Sequence, residues 1–243
     1  MPELARSRWP EIDNGPRRLL VVPLGSLEQH GPHLPLDTDT RIAASIAARA
    51  CEGIPGAGLA PPVTIGASGE HADFPGTLSI GTAALSAVLV ELGRHASLHW
   101  PAILLVNGHG GNVPAIRQAT AQLAAEGRPT HVWHAGLPGG DAHAGRFETS
   151  VMLALAPQDV RLGEAVPGDT RPLAELMPDL TARGVRAVSP SGVLGDPTEA
   201  SAAEGATLVD CLVSDLRTTI KALLPERPGE SAHPGNRRDG AFG

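Results

Sequence analysis

AILLVNGHGGN, residues 102–112, is the stretch that decides the fold, since a continuous apolar segment runs straight into a polar, glycine-rich turn. The uninterrupted run from Ala102 to Val106 predicts a strand that is buried on both faces. Apolar side chains recur at helical spacing from Val113 onwards, which predicts a helix after the turn. The stretch therefore predicts one strand–turn–helix unit of an α/β fold.

The same alternation extends in both directions from this unit. Apolar segments predict further strands at residues 19–24, 59–65 and 130–134. Helical periodicity predicts helices at residues 38–53, 82–98, 113–123, 146–155 and 198–224. Residues 163–197 are rich in Gly and Pro and predict a long loop that is functional or contacts another subunit. Strands that alternate with helices predict a mostly parallel sheet covered on both faces, with ligands at the carboxyl ends of its strands.

The composition is that of a globular protein, with 42% hydrophobic and 19% charged residues. The 243 residues are enough for one α/β domain, and we expect a single domain over residues 1–224. Residues 225–243 are polar and rich in Gly and Pro, which predicts a disordered tail.

Charge and the lengths of the apolar runs exclude several kinds of partner. The formal net charge of -7 argues against nucleic acid and anionic membranes. The longest apolar runs are too short to span a bilayer, and the first residues lack the apolar core of a signal peptide. The two cysteines are far apart and form no C-x-x-C motif, as in proteins of a reducing compartment. We therefore expect a cytoplasmic protein.

The first polar cluster is GSLEQHGPHLPLDTD, residues 25–39. Glu28 and His30 are two residues apart, so in an extended segment their side chains point to the same side, as a metal site requires. Asp39 follows at the expected start of a helix, and the prolines between them stiffen the connection. The alternative is a capping Asp39, a surface Glu28 and a hydrogen-bonded His30.

The second cluster, residues 107–112, ends the central strand. Its glycines, Gly110 and Gly111, let backbone N–H groups approach a ligand, and His109 can reach over the edge of the sheet. Phosphate binding is an alternative, although the spacing matches neither the P-loop nor the dinucleotide-binding motif. A tight turn without function is the third interpretation.

The third cluster is residues 69–77, which include Glu70 and His71. Adjacent side chains of an extended chain face opposite ways, so these two are not expected to bind one ion together. We predict a loop that lines a pocket, and a plain surface loop remains the alternative.

The fourth cluster is residues 141–150, where His143 lies in a loop and Glu148 opens a helix. Without a function, Glu148 would be a favourable charge at a helix N-terminus, worth about 0.3–1 kcal/mol, and His143 would be solvated. Five of the ten histidines fall in the four clusters, each of which follows a strand or opens a helix, and this coincidence favours one common site. The other five are expected to be structural or on the surface: His95, His99, His131, His134 and His233.

Four motifs resemble, in order and separation, those of the creatininase family of metal-dependent amide hydrolases: GSLEQHGPHLPLDTD, GEHADFPGT, NGHGGN and HAGRFETS. The resemblance covers residues 20–155. It implies a three-layer α/β/α sandwich around a mainly parallel sheet. It also implies a homo-oligomer, with a hexamer favoured.

The resemblance further implies two divalent metal ions per subunit, which would be zinc, iron(II) or manganese. Glu28 and His109 would hold one ion, His30 would hold the other, and Asp39 would bridge both. Imidazole with carboxylate ligands suits all three metals, so the ligand types do not choose among them.

The chain departs from the family at Gly111, where members that hydrolyse creatinine carry a glutamate that helps to hold the second ion. This departure argues against creatinine as the substrate, and we hypothesise that Glu148 supplies the missing carboxylate. Those members also enclose their flat substrate with tryptophans, whereas this chain has only Trp133 between Gly111 and His143.

The resemblance implies hydrolysis of an amide C–N bond by His143 and Glu148, with His143 as the general acid for the leaving nitrogen. Backbone N–H groups at Gly110 and Gly111 would stabilise the developing oxyanion. The other residues expected to bind substrate are Glu70, His71 and Asn112.

Within the family, three segments resemble a branch of peptidases that release the C-terminal Val-Tyr dipeptide from a modified precursor peptide: EQHGPHLPLDTDTRIA, GHGGN and SPSGVLGDPTEAS. A small modified peptide is therefore the expected substrate. Two alternatives stay open: an amidohydrolase that acts on a small cyclic amide or formamide, and a metal-dependent binding protein without catalysis.

Overall fold

A computed structural model of the protein describes residues 3–136 and 140–224. At its centre lies a four-stranded parallel sheet with the strand order β2-β1-β3-β4. The strands are β1 (Leu19–Leu24), β2 (Ala57–Leu59), β3 (Ala102–Asn107) and β4 (Thr130–His134).

Eight α-helices lie in the described residues: α1 (Trp9–Asp13), α2 (Thr38–Cys51), α3 (Gly81–Ala96), α4 (Val113–Ala125), α5 (Arg146–Leu155), α6 (Leu173–Arg183), α7 (Val185–Val188) and α8 (Ala202–Leu223). Short 3₁₀ turns occur at Leu4–Arg6, Gly69–His71, Gly110–Asn112, Pro157–Asp159 and Leu162–Glu164.

The helices cover both faces of the sheet, which confirms the three-layer α/β/α sandwich. Alternate side chains of β1 point to opposite faces, with Leu19 and Val21 on one side and Leu20 and Val22 on the other. The first face packs against α2, α5 and α8, and the second against α3 and α4. Since both faces are covered, the strands are apolar without alternation, which explains the continuous run in β3.

The register brings the carboxyl ends of the central strands to one edge. Leu24 at the end of β1 pairs with Asn107 at the end of β3, and Asn107 pairs with His134 at the end of β4. The polar segments that follow β1 and β3 therefore start side by side.

The strand predicted at residues 59–65 is wrong in its bounds. The strand β2 ends at Leu59, the N–H of Ala60 still donates to Val21, and the chain then rejoins the sheet at an isolated bridge between Val63 and Leu24. The prolines at 61 and 62 explain the break, because proline has no N–H to donate to a neighbouring strand.

The long loop predicted at residues 163–197 is also wrong, since this segment contains α6 and α7. Leu176, Leu180 and Val185 from these helices form a small apolar cluster with Leu194. Pro178 within α6 and the Gly that separates the two helices hid the helical pattern from sequence reasoning.

The disordered tail predicted at 225–243 lies outside the described residues. Within residues 3–136 and 140–224, the helices are too short or too polar for any of them to cross a bilayer.

Candidate metal centre

Four polar segments meet at the carboxyl edge of the sheet. Residues 26–39 follow β1 and residues 107–112 follow β3, while the segments 68–71 and 141–148 pack against them. These are the four clusters that the sequence singled out, so the structure brings them together as expected from the register of the strands.

The N-terminus of α2 reaches this edge because Gly108 has no side chain. A Cβ atom at Gly108 would collide with the backbone oxygen of Asp39 and press on the side chain of Ala43. The close approach places Asp39, in the first turn of α2, directly over the end of β3.

Glu28 is fully buried, and neither carboxylate oxygen has a hydrogen-bond partner among the described residues. The oxygens instead face ring nitrogens, at 3.1 Å from Nε2 of His109 and 3.3 Å from Nε2 of His71. A buried carboxylate without hydrogen bonds is strongly unfavourable unless a cation compensates its charge. Glu28 therefore needs a positive charge beside it, which either a protonated imidazole or a metal ion can supply.

The carboxylate of Asp39 lies between two imidazoles. Its Oδ1 is 3.0 Å from Nε2 of His30, and its Oδ2 is 3.1 Å from Nδ1 of His109. Ser26 donates a hydrogen bond from Oγ to Oδ2 at 2.7 Å. One carboxylate with an oxygen on each side has the geometry of a bridge between two cations.

Among the described residues, three sets of side chains place one potential ligand atom each within 4.8 Å of one another. The sets are Glu28 with Asp39 and His109, His30 with His143 and Glu148, and Glu28 with His71 and His143. The first two contain all five residues for which a metal-binding role was expected.

The electrostatics of the ion-free centre balance two carboxylates against two imidazoles. Burial opposes charge on His30, but the Asp39 carboxylate outweighs it and raises the pKa of His30 to about 10. Burial likewise opposes charge on His109, yet Glu28 and Asp39 raise its pKa well above the usual range.

The two carboxylates shift in the opposite sense. Burial alone would raise the pKa of Glu28, but the facing charge of His109 lowers it to about 2. The pKa of Asp39 also falls well below its usual range, because His30 and His109 outweigh the effect of burial. Without an ion, His30 and His109 are therefore both protonated and carry the two positive charges of the centre. Once these protons leave, the same side chains can bind divalent cations.

Glu148 lies in the first turn of α5, with Oε2 at 3.9 Å from Nε2 of His30. The same oxygen accepts a hydrogen bond from the N–H of Ala144 at 2.6 Å. Burial raises the pKa of Glu148 to about 7. This carboxylate is therefore poised to lose its proton when a cation binds beside it.

His143 and His71 are both neutral. Burial lowers the pKa of His71 to about 4, and burial together with the charge of His30 lowers the pKa of His143 well below its usual range. An isolated two-residue β-bridge to Leu194 holds the backbone of His143, with hydrogen bonds of 3.1 and 2.9 Å. The segment that sequence reasoning read as a loop thus supports the site.

The expectation that Glu70 and His71 face opposite ways is wrong, because the chain forms a 3₁₀ turn at Gly69–His71 instead of an extended segment. Both side chains reach the centre. Nε2 of His71 lies 3.3 Å from Glu28, and Oε1 of Glu70 lies 3.6 Å from Nε2 of His109.

Gly111 leaves room for the Glu70 carboxyl group. A Cβ atom at Gly111 would collide with Oε1 of Glu70, with the ring of His109 and with the backbone oxygen of Ala67. The carboxyl group of Glu70 therefore occupies the space that a side chain at position 111 would fill. Burial raises the pKa of Glu70, although about a third of its side chain is exposed.

The structure argues against substrate binding by Asn112. Its side chain is buried, and its amide donates to the backbone oxygen of Gly25 at 3.0 Å and to Asn107 at 3.1 Å. Its Oδ1 accepts from the N–H of Ala67 at 2.9 Å. Asn112 therefore ties three loops together and has no donor left for a ligand.

Sequence reasoning missed Gln29, which lies between Glu28 and His30 and is buried. Its amide nitrogen is 2.9 Å from Nδ1 of His71 and 3.1 Å from Nε2 of His143. Alternation in an extended segment would point Gln29 away from Glu28 and His30, which is why sequence reasoning did not include it. The one signal that could have found it was its position inside the first motif.

Comparison with known proteins gives a consistent result. A family model described as creatinine amidohydrolase, or creatininase, matches residues 5–220. The mycofactocin precursor peptide peptidase of Mycolicibacterium smegmatis is 54% identical over 216 residues, which are 87% of this chain and 87% of that protein.

Solved structures agree with the fold. A creatinine amidohydrolase structure has a TM-score of 0.77 at 27% identity and covers 92% of this chain and 98% of its own. A structure described as a manganese creatininase has a TM-score of 0.76 at 26% identity, with the same coverage of 92% and 98%.

Proposed function

The chain belongs to the creatininase family, and we propose that it is a metal-dependent peptidase which releases the C-terminal Val-Tyr dipeptide from the modified mycofactocin precursor peptide. As a member of this family it is a hydrolase of C–N bonds. The observation that carries the proposal is the fully buried Glu28, whose carboxylate faces only ring nitrogens, beside two sets of convergent ligands. The 54% identity to a peptidase of this name directs the choice of substrate.

We propose that two divalent ions are bound. Glu28 and His109 would hold one, His30 and Glu148 would hold the other, and Asp39 would touch both. When bound, such ions acidify a water molecule and polarise the carbonyl oxygen of the substrate. Zinc, iron(II) and manganese all suit these ligands, and manganese is named for a related creatininase.

His143 is the proposed proton carrier. Its Nε2 lies 2.8 Å from the backbone oxygen of Gln29, so this nitrogen carries the proton and Nδ1 faces the centre as a free base. A proton accepted at Nδ1 can pass to the leaving nitrogen of the scissile amide. The low pKa of His143 ensures that Nδ1 is free before the reaction begins.

The oxygen of the scissile carbonyl would meet backbone N–H groups of Gly110 and Gly111. Both glycines lie in the first turn of a 3₁₀ segment that leads into α4, where N–H groups lack partners within the helix. Glu70 stands beside Gly111 and is partly exposed, so it is placed to contact the substrate.

A cleft of about 790 Å³ has room for a peptide, and although none of the proposed ion ligands lines it, part of its wall comes from the segment that carries His143 and Glu148. Its walls include Asp141, Arg146 and Phe147, which flank His143 and Glu148 along the chain. We propose that the precursor peptide lies in this cleft and presents its C-terminal end to the ions.

A small-molecule amidohydrolase is the second candidate, since the solved neighbours include a creatinine amidohydrolase. The tryptophan geometry disfavours it. Trp133 is buried and its ring N–H donates to Asp215 at 2.6 Å, so this ring does not enclose a substrate at the centre.

Product analysis by mass spectrometry tests the proposal. The metal-loaded protein is incubated with the modified precursor peptide, with the unmodified peptide, with creatinine and with a formamide. We expect loss of the C-terminal dipeptide from the modified peptide only. Turnover of creatinine without cleavage of any peptide would refute the proposal, and the absence of all turnover in the fully loaded protein would favour a binding protein.

We also propose that the protein is a hexamer. Apolar side chains exposed on and near α3 support an assembly, with Leu78, Val88 and Leu98 each more than 40% exposed. Light scattering should then give a mass close to six times the 25.0 kDa of one chain.

A further inference from the structure

The hydrogen bonds of the centre determine which nitrogen of each histidine carries the proton. Nδ1 of His30 lies 3.1 Å from the backbone oxygen of Glu28 and donates to it, so Nε2 becomes a free base towards Asp39 once the extra proton of His30 has left. Nε2 of His143 donates to the backbone oxygen of Gln29 at 2.8 Å, which leaves its Nδ1 free.

The third histidine follows the same rule. Nε2 of His109 lies 3.1 Å from the backbone oxygen of Ala67 and donates to it, so its Nδ1 becomes a free base towards Asp39 once the centre has lost its extra protons. These three histidines can therefore each present a bare nitrogen to the centre, which metal binding requires of His30 and His109 and proton transfer requires of His143.

His71 is the exception, and Gln29 is the cause. Oε1 of Gln29 accepts a hydrogen bond from the N–H of Gly31 at 2.8 Å, which fixes the orientation of the amide. The amide nitrogen has only two protons. One goes to the backbone oxygen of Gly192 at 3.0 Å, and the other goes to Nδ1 of His71 at 2.9 Å.

The contact between Gln29 and His143 does not compete with this assignment. Nε2 of His143 lies 3.1 Å from the amide nitrogen of Gln29, but it already donates its own proton to the backbone oxygen of the same residue. A nitrogen that donates cannot also accept in the plane of the ring. His71 is therefore the acceptor of the second amide proton.

From this geometry we infer that Gln29 is a positioning residue that holds His71 as an N–H donor and so keeps it from binding a metal ion. The proton of His71 resides on Nε2, which faces Oε1 of Glu28 at 3.3 Å. The set of Glu28, His71 and His143 consequently holds no third ion, although its atoms are close enough.

The inference deepens the proposed function, and the catalytic importance of the His71 N–H rests on that function. Nε2 of His71 faces Oε1 of Glu28 at 3.3 Å, and this oxygen has no other close hydrogen-bond partner among the described residues. In the ion-loaded enzyme the N–H of His71 would therefore orient the Glu28 carboxylate, while its other oxygen remains available to an ion.

Histidine tautomers can be read directly by two-bond ¹⁵N–¹H correlation spectra of the zinc-loaded protein labelled at histidine. We expect His71 to carry its proton on Nε2, with Nδ1 accepting. A spectrum in which His71 carries its proton on Nδ1, or in which Nε2 is bound to zinc, would overturn the inference. This readout needs no substrate, so it is independent of whether the protein is a peptidase.

The variant Gln29→Glu tests the cause. A carboxylate can only accept, so His71 should move its proton to Nδ1, and peptide cleavage should fall by about 10–100-fold, as on loss of a hydrogen bond that orients a metal ligand. The control is Gln118→Glu, which adds the same charge on the exposed side of α4 and should change neither spectrum nor rate. If His71 kept its proton on Nε2 in the folded Gln29→Glu variant, the inference would be contradicted. If that variant fails to fold, the spectrum of the unsubstituted protein still tests the inference.

The variant His71→Gln tests whether His71 donates a hydrogen bond or binds a metal ion. Glutamine retains an N–H near the position of Nε2, so elemental analysis should still find two ions per chain. Loss of one ion in this variant would show that His71 is a ligand.

Discussion

At the scale of single residues, Glu28 and Asp39 are buried carboxylates whose charges are balanced by protons on His30 and His109. Asp39 has one oxygen towards each histidine and therefore contributes to both proposed ion sites. The loss of this one carboxylate should affect the whole centre, whereas the loss of a carboxylate at its margin should affect one ion.

We predict that Asp39→Asn lowers the metal content from about two ions per chain to below one and abolishes hydrolysis, since an amide supplies neither the charge nor both oxygens of a bridge. Elemental analysis after dialysis measures the ions. Asp37→Asn is the matched control, because Asp37 pairs with Arg41 at 2.7 Å outside the centre. Full metal content in Asp39→Asn would rule out the bridging role.

Glu148→Gln should weaken one ion site by more than the roughly 10–100-fold that loss of a residue supporting a ligand costs, and leave the other site intact, because Glu148 lies beside His30 and belongs to only one set of ligands. Titration of the ion-free variant with zinc measures both sites. The exposed Glu175 on α6 provides the control, as Glu175→Gln. Equal weakening of both sites would contradict this assignment.

Metal binding should release protons and strengthen as pH rises. In the ion-free protein the pKa of His30 is raised to about 10 and that of His109 is also raised, so both are protonated at neutral pH. Each must become neutral to bind an ion, so about two protons should leave, with a further fraction from Glu148. Calorimetry in two buffers of different ionisation enthalpy counts them, and binding without proton release would contradict the pKa shifts.

The same shifts determine how pH affects the ion-free fold. A histidine with a raised pKa stabilises the folded state fully below its unfolded value of 6.5, and this contribution is lost as pH rises through the folded value of about 10. The ion-free protein should therefore lose stability above neutral pH.

At the scale of elements, the centre depends on how closely loops approach one another at the ends of β1 and β3. Glycines make this possible, since a side chain at Gly108 would push back α2 and a side chain at Gly111 would meet Glu70 and His109. Polar side chains supplied by four separate segments can then share one small volume.

Gly111→Ala should lower stability by about 1–3 kcal/mol and reduce metal affinity, because the added methyl group collides with the His109 ring, the Glu70 carboxyl and the oxygen of Ala67. Gly110→Ala is the neighbouring control, since its added methyl group meets no atom within 4 Å. Thermal unfolding and zinc titration compare the two. Equal behaviour of the two variants would show that the space at Gly111 is not needed.

The elements themselves could be predicted from the sequence to different degrees. Continuous apolar runs gave β1 and β3 at almost their observed bounds, because both strands are buried on both faces. The helices α6 and α7 could not be predicted, because their few apolar residues pack against each other and Leu194 instead of the main core. These helices are stabilised by tertiary contacts, which the local spacing of apolar residues in the sequence does not predict.

At the scale of the whole molecule, the fold followed from the alternation of strands and helices, while the site followed from motifs and a family resemblance. The segments that carry Glu28, His109 and Glu148 were each ambiguous alone, and the parallel register is what brings them to one edge. The role of Gln29 was out of reach, because it depends on contacts to His71 and Gly192, which are 42 and 163 residues away.

The central claim is that the carboxyl edge of the sheet holds two metal ions, and anomalous diffraction from crystals of the zinc-loaded protein tests it most directly. We predict two anomalous peaks about 3.5–4 Å apart. One should lie between Glu28, Asp39 and Nδ1 of His109, and the other between Asp39, Nε2 of His30 and Glu148. A single peak, or a peak bound to Nε2 of His71, in the fully loaded protein would contradict the account.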